Sequence, residues 1–186
     1  MKYIVKNIND IDKTILDYFY NNIYEIKRNR IKKDNYLSIY AEYLLSELLK
    51  EYNIDYNDIT ILENEYGKPY IKDNNIYYSI SHSNEYVIVC INDSPIGIDI
   101  QLIKNNTPNK RVLNEEEYKY NYNYIDIFSL KESYIKCIGS NINHMKDITF
   151  NLDNGLFSNK EEYEFKQIKD IPNYVISICT KKLTIN

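Results

Sequence analysis

Pro95-Ile96-Gly97-Ile98-Asp99-Ile100-Gln101 is the stretch on which the reading of the chain turns. Ile96, Ile98 and Ile100 alternate with Gly97, Asp99 and Gln101. Successive side chains of a strand point to opposite faces, so alternation at period two predicts a half-buried strand. The isoleucine face belongs on a core. The other face aligns a glycine, a carboxylate and an amide. A glycine lets a ligand come close to the backbone, and a carboxylate beside it suits a metal or phosphate site. The alternative is the exposed polar face of an edge strand. The stretch by itself leaves both open.

Working outward, Asn92-Asp93-Ser94-Pro95 reads as a hairpin turn that joins this strand to a preceding one at Tyr86–Ile91. Before that, Ile76–Ser81 reads as another strand, and Ser81-His82-Ser83-Asn84 as the short loop between the two. Glu65-Tyr66-Gly67-Lys68-Pro69 is a turn, preceded by a strand at Asp58–Leu62. Leu37, Ala41, Leu44, Leu45 and Leu48 recur at helical spacing, which predicts a helix over 35–51 with Asp34 as its N-cap. A weakly patterned helix spans Asp10 to Tyr24, after a short strand at 2–5. Downstream, Asn105-Asn106-Thr107-Pro108-Asn109 is a polar connector. A helix over 113–121 follows, and then one over 126–138 whose Ile127, Leu130, Tyr134 and Ile138 define the buried side. Asp153-Asn154-Gly155 marks a hairpin, and strands at 161–167 and 173–180 close the chain. Each half holds a helix followed by about three antiparallel strands. That pattern predicts an α+β protein of two similar lobes, residues 1–104 and 105–186.

The 186 residues are enough for such a pair of lobes. The net charge of −4 argues against a general nucleic-acid binder, which is normally basic. The densest basic stretch, Lys27-Arg28-Asn29-Arg30-Ile31-Lys32-Lys33, suits either a phosphate or a solvated helix end. No apolar run approaches the roughly 20 residues of a membrane span. Met1 to Asn7 contains no apolar h-region, so no signal peptide is expected. Cys90, Cys137 and Cys179 are widely spaced, odd in number and set among apolar residues, which fits buried, reduced thiols in a cytoplasmic protein.

Within Phe128-Ser129-Leu130-Lys131-Glu132-Ser133-Tyr134-Ile135-Lys136, Glu132 and Lys136 stand four apart and share a helix face. Alone they make an ordinary exposed ion pair, His82 an ordinary loop histidine and Lys68 an ordinary turn lysine. Their order changes the reading. E-Y-G-K-P, S-I-S-H-S, P-I-G-I-D-I-Q and F-S-L-K-E-S-Y-I-K follow one another along the chain. In this it resembles the surfactin-type 4′-phosphopantetheinyl transferases, from about residue 35 to 155. The resemblance implies a pseudo-twofold fold of two lobes, each a helix packed on a small antiparallel sheet. It implies transfer of the phosphopantetheine arm of coenzyme A to a serine of an apo acyl or peptidyl carrier protein, with release of adenosine 3′,5′-bisphosphate. Carried over by position, Asp99 and Glu132 become magnesium ligands, and Glu132 also helps deprotonate the carrier serine. Lys136 neutralises the pyrophosphate, Ser81 and His82 hold the 3′-phosphate end of coenzyme A, and Lys68 lies against the adenine nucleotide. Gln101 stands where the family usually has a second acid at the metal, and a neutral amide binds magnesium less well. That departure keeps open a relative that binds coenzyme A or a carrier without transfer. With both lobes in one chain, a monomer is expected, with neither nucleic acid nor membrane as partner.

Overall fold

The computed structural model of the protein describes residues 1–31, 35–104, 112–120, 122–153 and 155–183. The first half runs β1 (Lys2–Asn7), α1 (Lys13–Asn22), a single turn α2 (Glu25–Arg28) and α3 (Tyr36–Lys50). Then come β2 (Ile61–Glu63), β3 (Pro69–Ile71), β4 (Tyr77–Ser83) and β5 (Tyr86–Asn92). The second half runs β6 (Ile96–Leu102), α4 (Glu115–Lys119), α5 (Tyr124–Ile138), β7 (Phe150–Asn151), β8 (Phe157–Ser158), β9 (Tyr163–Ile168) and β10 (Tyr174–Lys181). Local chemistry sets the ends of both long helices. The Asn35 side chain accepts from Ser38 N–H to start α3, and Asn123 accepts from Ile125 N–H to start α5. Asp34, expected as the α3 cap, lies outside the described residues, as do Asn105–Asn109 and Asn154 of the two connectors. Gly139, at φ +69°, stops α5 by turning into the left-handed region, where its N–H reaches Ile135 O.

Two antiparallel three-stranded sheets form, in the orders β1-β5-β4 and β6-β10-β9. The halves repeat one topology. An opening strand pairs with the last strand of its half, a long helix follows, and a two-stranded ribbon (β2-β3 or β7-β8) precedes the closing hairpin. The α+β, two-lobed expectation is met, but its internal order is corrected: one strand of each sheet precedes the helix. The expected hairpin across Asn92–Pro95 is also corrected. Both edges of β5 are already taken, by β1 and β4, so β6 pairs with β10 instead, with Asp99 opposite Ser177. A division of the chain at 104/105 would leave β6 with the first lobe, whereas its ladder lies in the second sheet. Ser81–Ser83 belong to β4 and not to a loop; only Asn84 and Glu85 separate β4 from β5.

Three cores hold these layers together. Ile39, Leu45, Leu48 and Leu49 of α3 cover Val87, Val89 and Ile91 of β5. Ile127, Leu130, Tyr134 and Ile135 of α5 pack with Met145, Ile148, Phe150 and Cys179. Between the sheets, Ile88 and Cys90 meet Ile96, Ile98 and Ile100 of β6 and Ile176 and Ile178 of β10. The isoleucine face of β6 therefore sits where expected. Its other face is not half-exposed: Ile96 to Ile100 are all buried, because α5 packs on that side.

Candidate active site

Asp99 is 1% exposed and lies where β4, β6 and α5 meet. Three donors surround its carboxylate. Lys136 Nζ stands 2.7 Å from Oδ1, Ser81 Oγ donates to Oδ1 at 2.9 Å, and Gln101 Nε2 donates to Oδ2 at 3.0 Å. Lys136 also donates to Ser81 Oγ at 2.9 Å. Gln101 reaches Asp99 because residues two apart on a strand share a face. Lys136 reaches it because Gly97 lets α5 settle directly on β6. A Cβ at Gly97 would lie 1.9 Å from Ser133 O and 2.4 Å from Cys137 N. The glycine read as room for a ligand is thus room for the helix that carries Glu132 and Lys136.

Glu132, one turn before Lys136, is partly buried, and among the described residues it makes no hydrogen bond or ion pair. Burial, and next the charge of Asp99, raise its carboxyl above the usual range, against the opposing pull of Lys136. Two carboxylates therefore press on each other, and among the described residues only Asp99 is in direct contact with a cation. His82 follows Ser81 on β4 and is exposed. Partial desolvation by the protein on its inner side, and next the Lys136 ammonium, hold its imidazole below the ordinary histidine range. Asp99, Glu132, Lys136, Ser81 and Gln101 thus converge, while His82 points to the other face of β4 and feels the charge of Lys136. Lys68 is placed differently. Its ammonium donates to Cys137 O at 3.1 Å and Ile96 O at 3.4 Å, beside Asn64 Nδ2, which donates to Gly139 O at 2.6 Å. The Gly-Lys-Pro turn so docks on the C-terminal end of α5, where carbonyls lack helical partners. In the basic stretch, Lys27 is buried with its ammonium 4.3 Å above the Tyr56 ring, and Arg30 pairs with Glu63 at 3.6 Å. Lys32 and Lys33 lie outside the described residues.

Two features escape a reading of motifs alone. The first is a seam. Ser79, Ser81 and Ser83 Oγ accept from the N–H groups of Ile98 (3.1 Å), Ile100 (3.3 Å) and Leu102 (3.0 Å). These N–H groups line the edge of β6 that faces away from β10, and the serines satisfy donors that burial would otherwise orphan. The matching period of two in S-I-S-H-S and I-D-I-Q-L was the available signal. The second is Lys131, whose side chain is 0% exposed and lies 2.6 Å from Glu117. It also donates to Val112 O at 2.9 Å, while Glu117 accepts from the N–H groups of Asn114 and Phe150. Lys131 falls four residues after Ile127, on the buried face, so helical spacing was the signal that could have found it.

A model of the 4′-phosphopantetheinyl transferase N-terminal family matches residues 20–93, and one of the 4′-phosphopantetheinyl transferase superfamily matches residues 95–179. The two meet at the connection between β5 and β6, where the chain passes from one sheet to the other. The chain belongs to the 4′-phosphopantetheinyl transferase superfamily. It is 32% identical over 152 residues to the 4′-phosphopantetheinyl transferase gsp of Aneurinibacillus migulanus, an alignment covering 73% of this chain and 64% of gsp. It is 32% identical over 125 residues to the transferase Sfp of Bacillus subtilis, covering 60% of this chain and 55% of Sfp. A transferase of Bacillus pumilus is 24% identical over 176 residues, covering 84% of this chain and 76% of its own length. The chain therefore spans between about half and two thirds of the lengths of gsp and Sfp. Among the described residues, no helix is long and apolar enough to cross a membrane.

Proposed function

We propose that this phosphopantetheinyl transferase relative moves the 4′-phosphopantetheine group of coenzyme A onto a serine of an apo acyl or peptidyl carrier protein, with Mg²⁺, releasing adenosine 3′,5′-bisphosphate. The observation that carries the reading is the convergence of Asp99 and Lys136, 2.7 Å apart, from a strand and a helix, with Glu132 on the same helix face. Phosphoryl transfer needs positioning and charge stabilisation more than covalent help, and this cluster supplies both signs of charge at one place.

The donor set fits a divalent cation. The Glu132 carboxyl, which makes no hydrogen bond or ion pair among the described residues, is pushed up by burial and next by Asp99, and a cation held by both carboxylates relieves that repulsion. No group of three or more His, Cys, Asp or Glu gathers among the described residues. Two carboxylates completed by substrate phosphate oxygens and waters suit magnesium, which keeps much of its hydration. Bound there, the ion would neutralise the pyrophosphate of coenzyme A. Gln101, with its amide nitrogen turned to Asp99, offers the cation only its carbonyl oxygen.

In the reaction, the carrier serine oxygen bonds to the phosphorus on the pantetheine side of the pyrophosphate. The bond from that phosphorus to the oxygen of the adenosine-side phosphate breaks. Glu132 takes the serine proton, a role that its raised basicity favours. Lys136 faces the charge gathering on the leaving phosphate as a point cation. His82, exposed beside Lys136, takes the 3′-phosphate. Lys68 commits one N–H group to Cys137 O of α5 and one to Ile96 O of β6, and keeps the third for the nucleotide. Both lobes that build the cluster come from one chain, which supports a monomer as the working unit.

Intact-mass measurement of apo acyl and apo peptidyl carriers, incubated with the protein, coenzyme A and Mg²⁺, tests the proposal. A gain of one phosphopantetheine group is expected, and its loss in Asp99→Ala. No gain on any carrier, with coenzyme A still bound in calorimetry, sinks it in favour of a relative that binds without transfer.

A further inference from the structure

Three cysteines far apart in sequence, Cys90 of β5, Cys137 of α5 and Cys179 of β10, are buried and free. Two of them meet. Cys179 stands opposite Gly97 in the ladder of β10 with β6, and residues paired across antiparallel strands share a face. That face looks onto α5, where Cys137 N would lie 2.4 Å from a Cβ at Gly97. The glycine thus leaves the space above it to the two thiols. They share one apolar cluster, and the Cys179 thiol donates to the Cys137 sulfur. Cys137 Sγ in turn donates to Pro95 O at 3.3 Å. Cys90 packs instead between the two sheets, with Ile96, Ile98 and Ile178.

The two thiols are not equivalent. Cys137 lines a cavity of about 260 Å³, together with Asn64, Lys68, Tyr78 and Gly139, whereas Cys179 is 0% exposed. The hydrogen bond from Cys179 brings the Cys137 thiol below the ordinary range, against its burial and with help from the Lys68 ammonium. Burial pushes Cys179 up. An oxidisable cysteine needs thiolate character, access for a small oxidant and a second thiol to resolve it. Cys137 has all three.

We propose that Cys137 is a site of oxidation by a small peroxide, and that Cys179 resolves it into a disulfide joining α5 to β10. The Cys137 thiolate attacks one peroxide oxygen, and the O–O bond breaks. The departing hydroxide takes up the proton that Cys137 lost and becomes water, leaving a sulfenic acid on Cys137. The Cys179 sulfur then attacks the Cys137 sulfur, the S–O bond breaks, and the second hydroxide leaves as water with the Cys179 proton. Two thiols are oxidised and one peroxide is reduced. Cys137 follows Lys136 directly and its carbonyl accepts from Lys68, so the link closes beside two of the cations assigned to the substrate. The proposal itself does not depend on the transferase reading.

The test treats the reduced, folded wild-type chain with hydrogen peroxide, quenches it with catalase, and alkylates it with iodoacetamide in denaturant. Intact mass and peptide mapping then follow. The expected product carries alkyl on one of its three cysteines, Cys90, has Cys137 joined to Cys179, and returns to three alkylated cysteines after dithiothreitol. Cys179→Ser should stop at the sulfenic acid on Cys137, trapped by dimedone. A urea-unfolded sample is the control for geometry. Cys137 lies 42 residues from Cys179 (179 − 137) and 47 from Cys90 (137 − 90), spans that an unfolded chain closes about equally well. The preference for Cys179 should therefore be lost in urea. A link that includes Cys90 in the folded chain overturns the proposal. So does Cys137 running on to sulfinic acid with Cys179 still free, or all three thiols surviving excess peroxide. The same pairing pattern folded and unfolded also overturns it. If Cys179→Ser does not melt cooperatively, the wild-type maps, folded and unfolded, decide by themselves.

Discussion

Gly97→Ala is the substitution to which the structure gives the most definite consequence. The new methyl would stand 1.9 Å from Ser133 O, 2.4 Å from Cys137 N and 2.9 Å from Lys136 C. All three are main-chain atoms of α5, so no side-chain rotation relieves the clash. Reaching ordinary contact at 3.4 Å requires the helix to retreat by about 1.5 Å. Overpacking of a core costs about 1–3 kcal/mol, and with helix backbone as the obstacle the upper end applies, about 3 kcal/mol. For a chain of this size that corresponds to a fall of roughly 6–12 °C in melting temperature. The same retreat lengthens the 2.7 Å contact between Lys136 and Asp99 past hydrogen-bonding range. A misplacement of about 1 Å costs about 100-fold in rate where positioning carries catalysis. Thermal melting monitored by circular dichroism, beside initial rates of carrier modification, measures both. A variant with wild-type melting temperature and rate would refute the close-packing argument. Normal stability with a much higher KM for coenzyme A would return Gly97 to the ligand-approach role that its place on the strand first suggests.

Lys27→Met should raise the melting temperature at pH 7. Burial pulls the Lys27 ammonium down to about 8, against the pull of Asp55 and Glu42, and its Nζ has no hydrogen-bond partner among the described residues. A lysine with a depressed folded pKa binds its proton more weakly folded than unfolded, so its cost is full below about pH 8 and fades as pH rises toward the ordinary value of 10.5. Melting curves from pH 7 to 11 should therefore show a gain that shrinks with pH, and a loss at pH 7 contradicts the account. Lys131→Met should destabilise by about 3–5 kcal/mol in urea, because it strands the buried Glu117 carboxylate. Adding Glu117→Gln should recover part of that loss, since the amide removes the stranded charge and keeps an oxygen for one of the N–H groups of Asn114 and Phe150. No recovery in the double variant would mean that Lys131 acts through packing and not through charge.

The periodicities were legible without coordinates. The alternation in Ile96–Gln101 set which residues share a face, and Ile96, Ile98 and Ile100 do line a core. Leucine spacing located α3, and Asn123 and Gly139 bracket α5 by capping rules that act within a turn of the chain. Glu132 and Lys136 lie on one helix face because helical geometry alone puts them there, and the ordered motifs pointed to the family before any contact was known. What lay opposite each face was not legible. Periodicity tells which side chains point the same way and is silent on what meets them. β6 follows β5 by three residues yet pairs with β10, because β1, from the far end of the first half, already occupies the free edge of β5. That pairing brings α5 down over Gly97, turns the open polar face of the strand into a buried one, and delivers Lys136 to Asp99. The S-I-S-H-S run shows the same limit: its spacing was plain, but only the approach of β4 to β6 set Ser81 against Ile100, Asp99 and Lys136 at once. Local order fixed the elements and the shared faces. The long-range pairing of β6 with β10 decided the site, because a hydrogen-bond ladder between residues 72 to 84 apart depends on which edges remain unpaired, and that is a property of the whole chain.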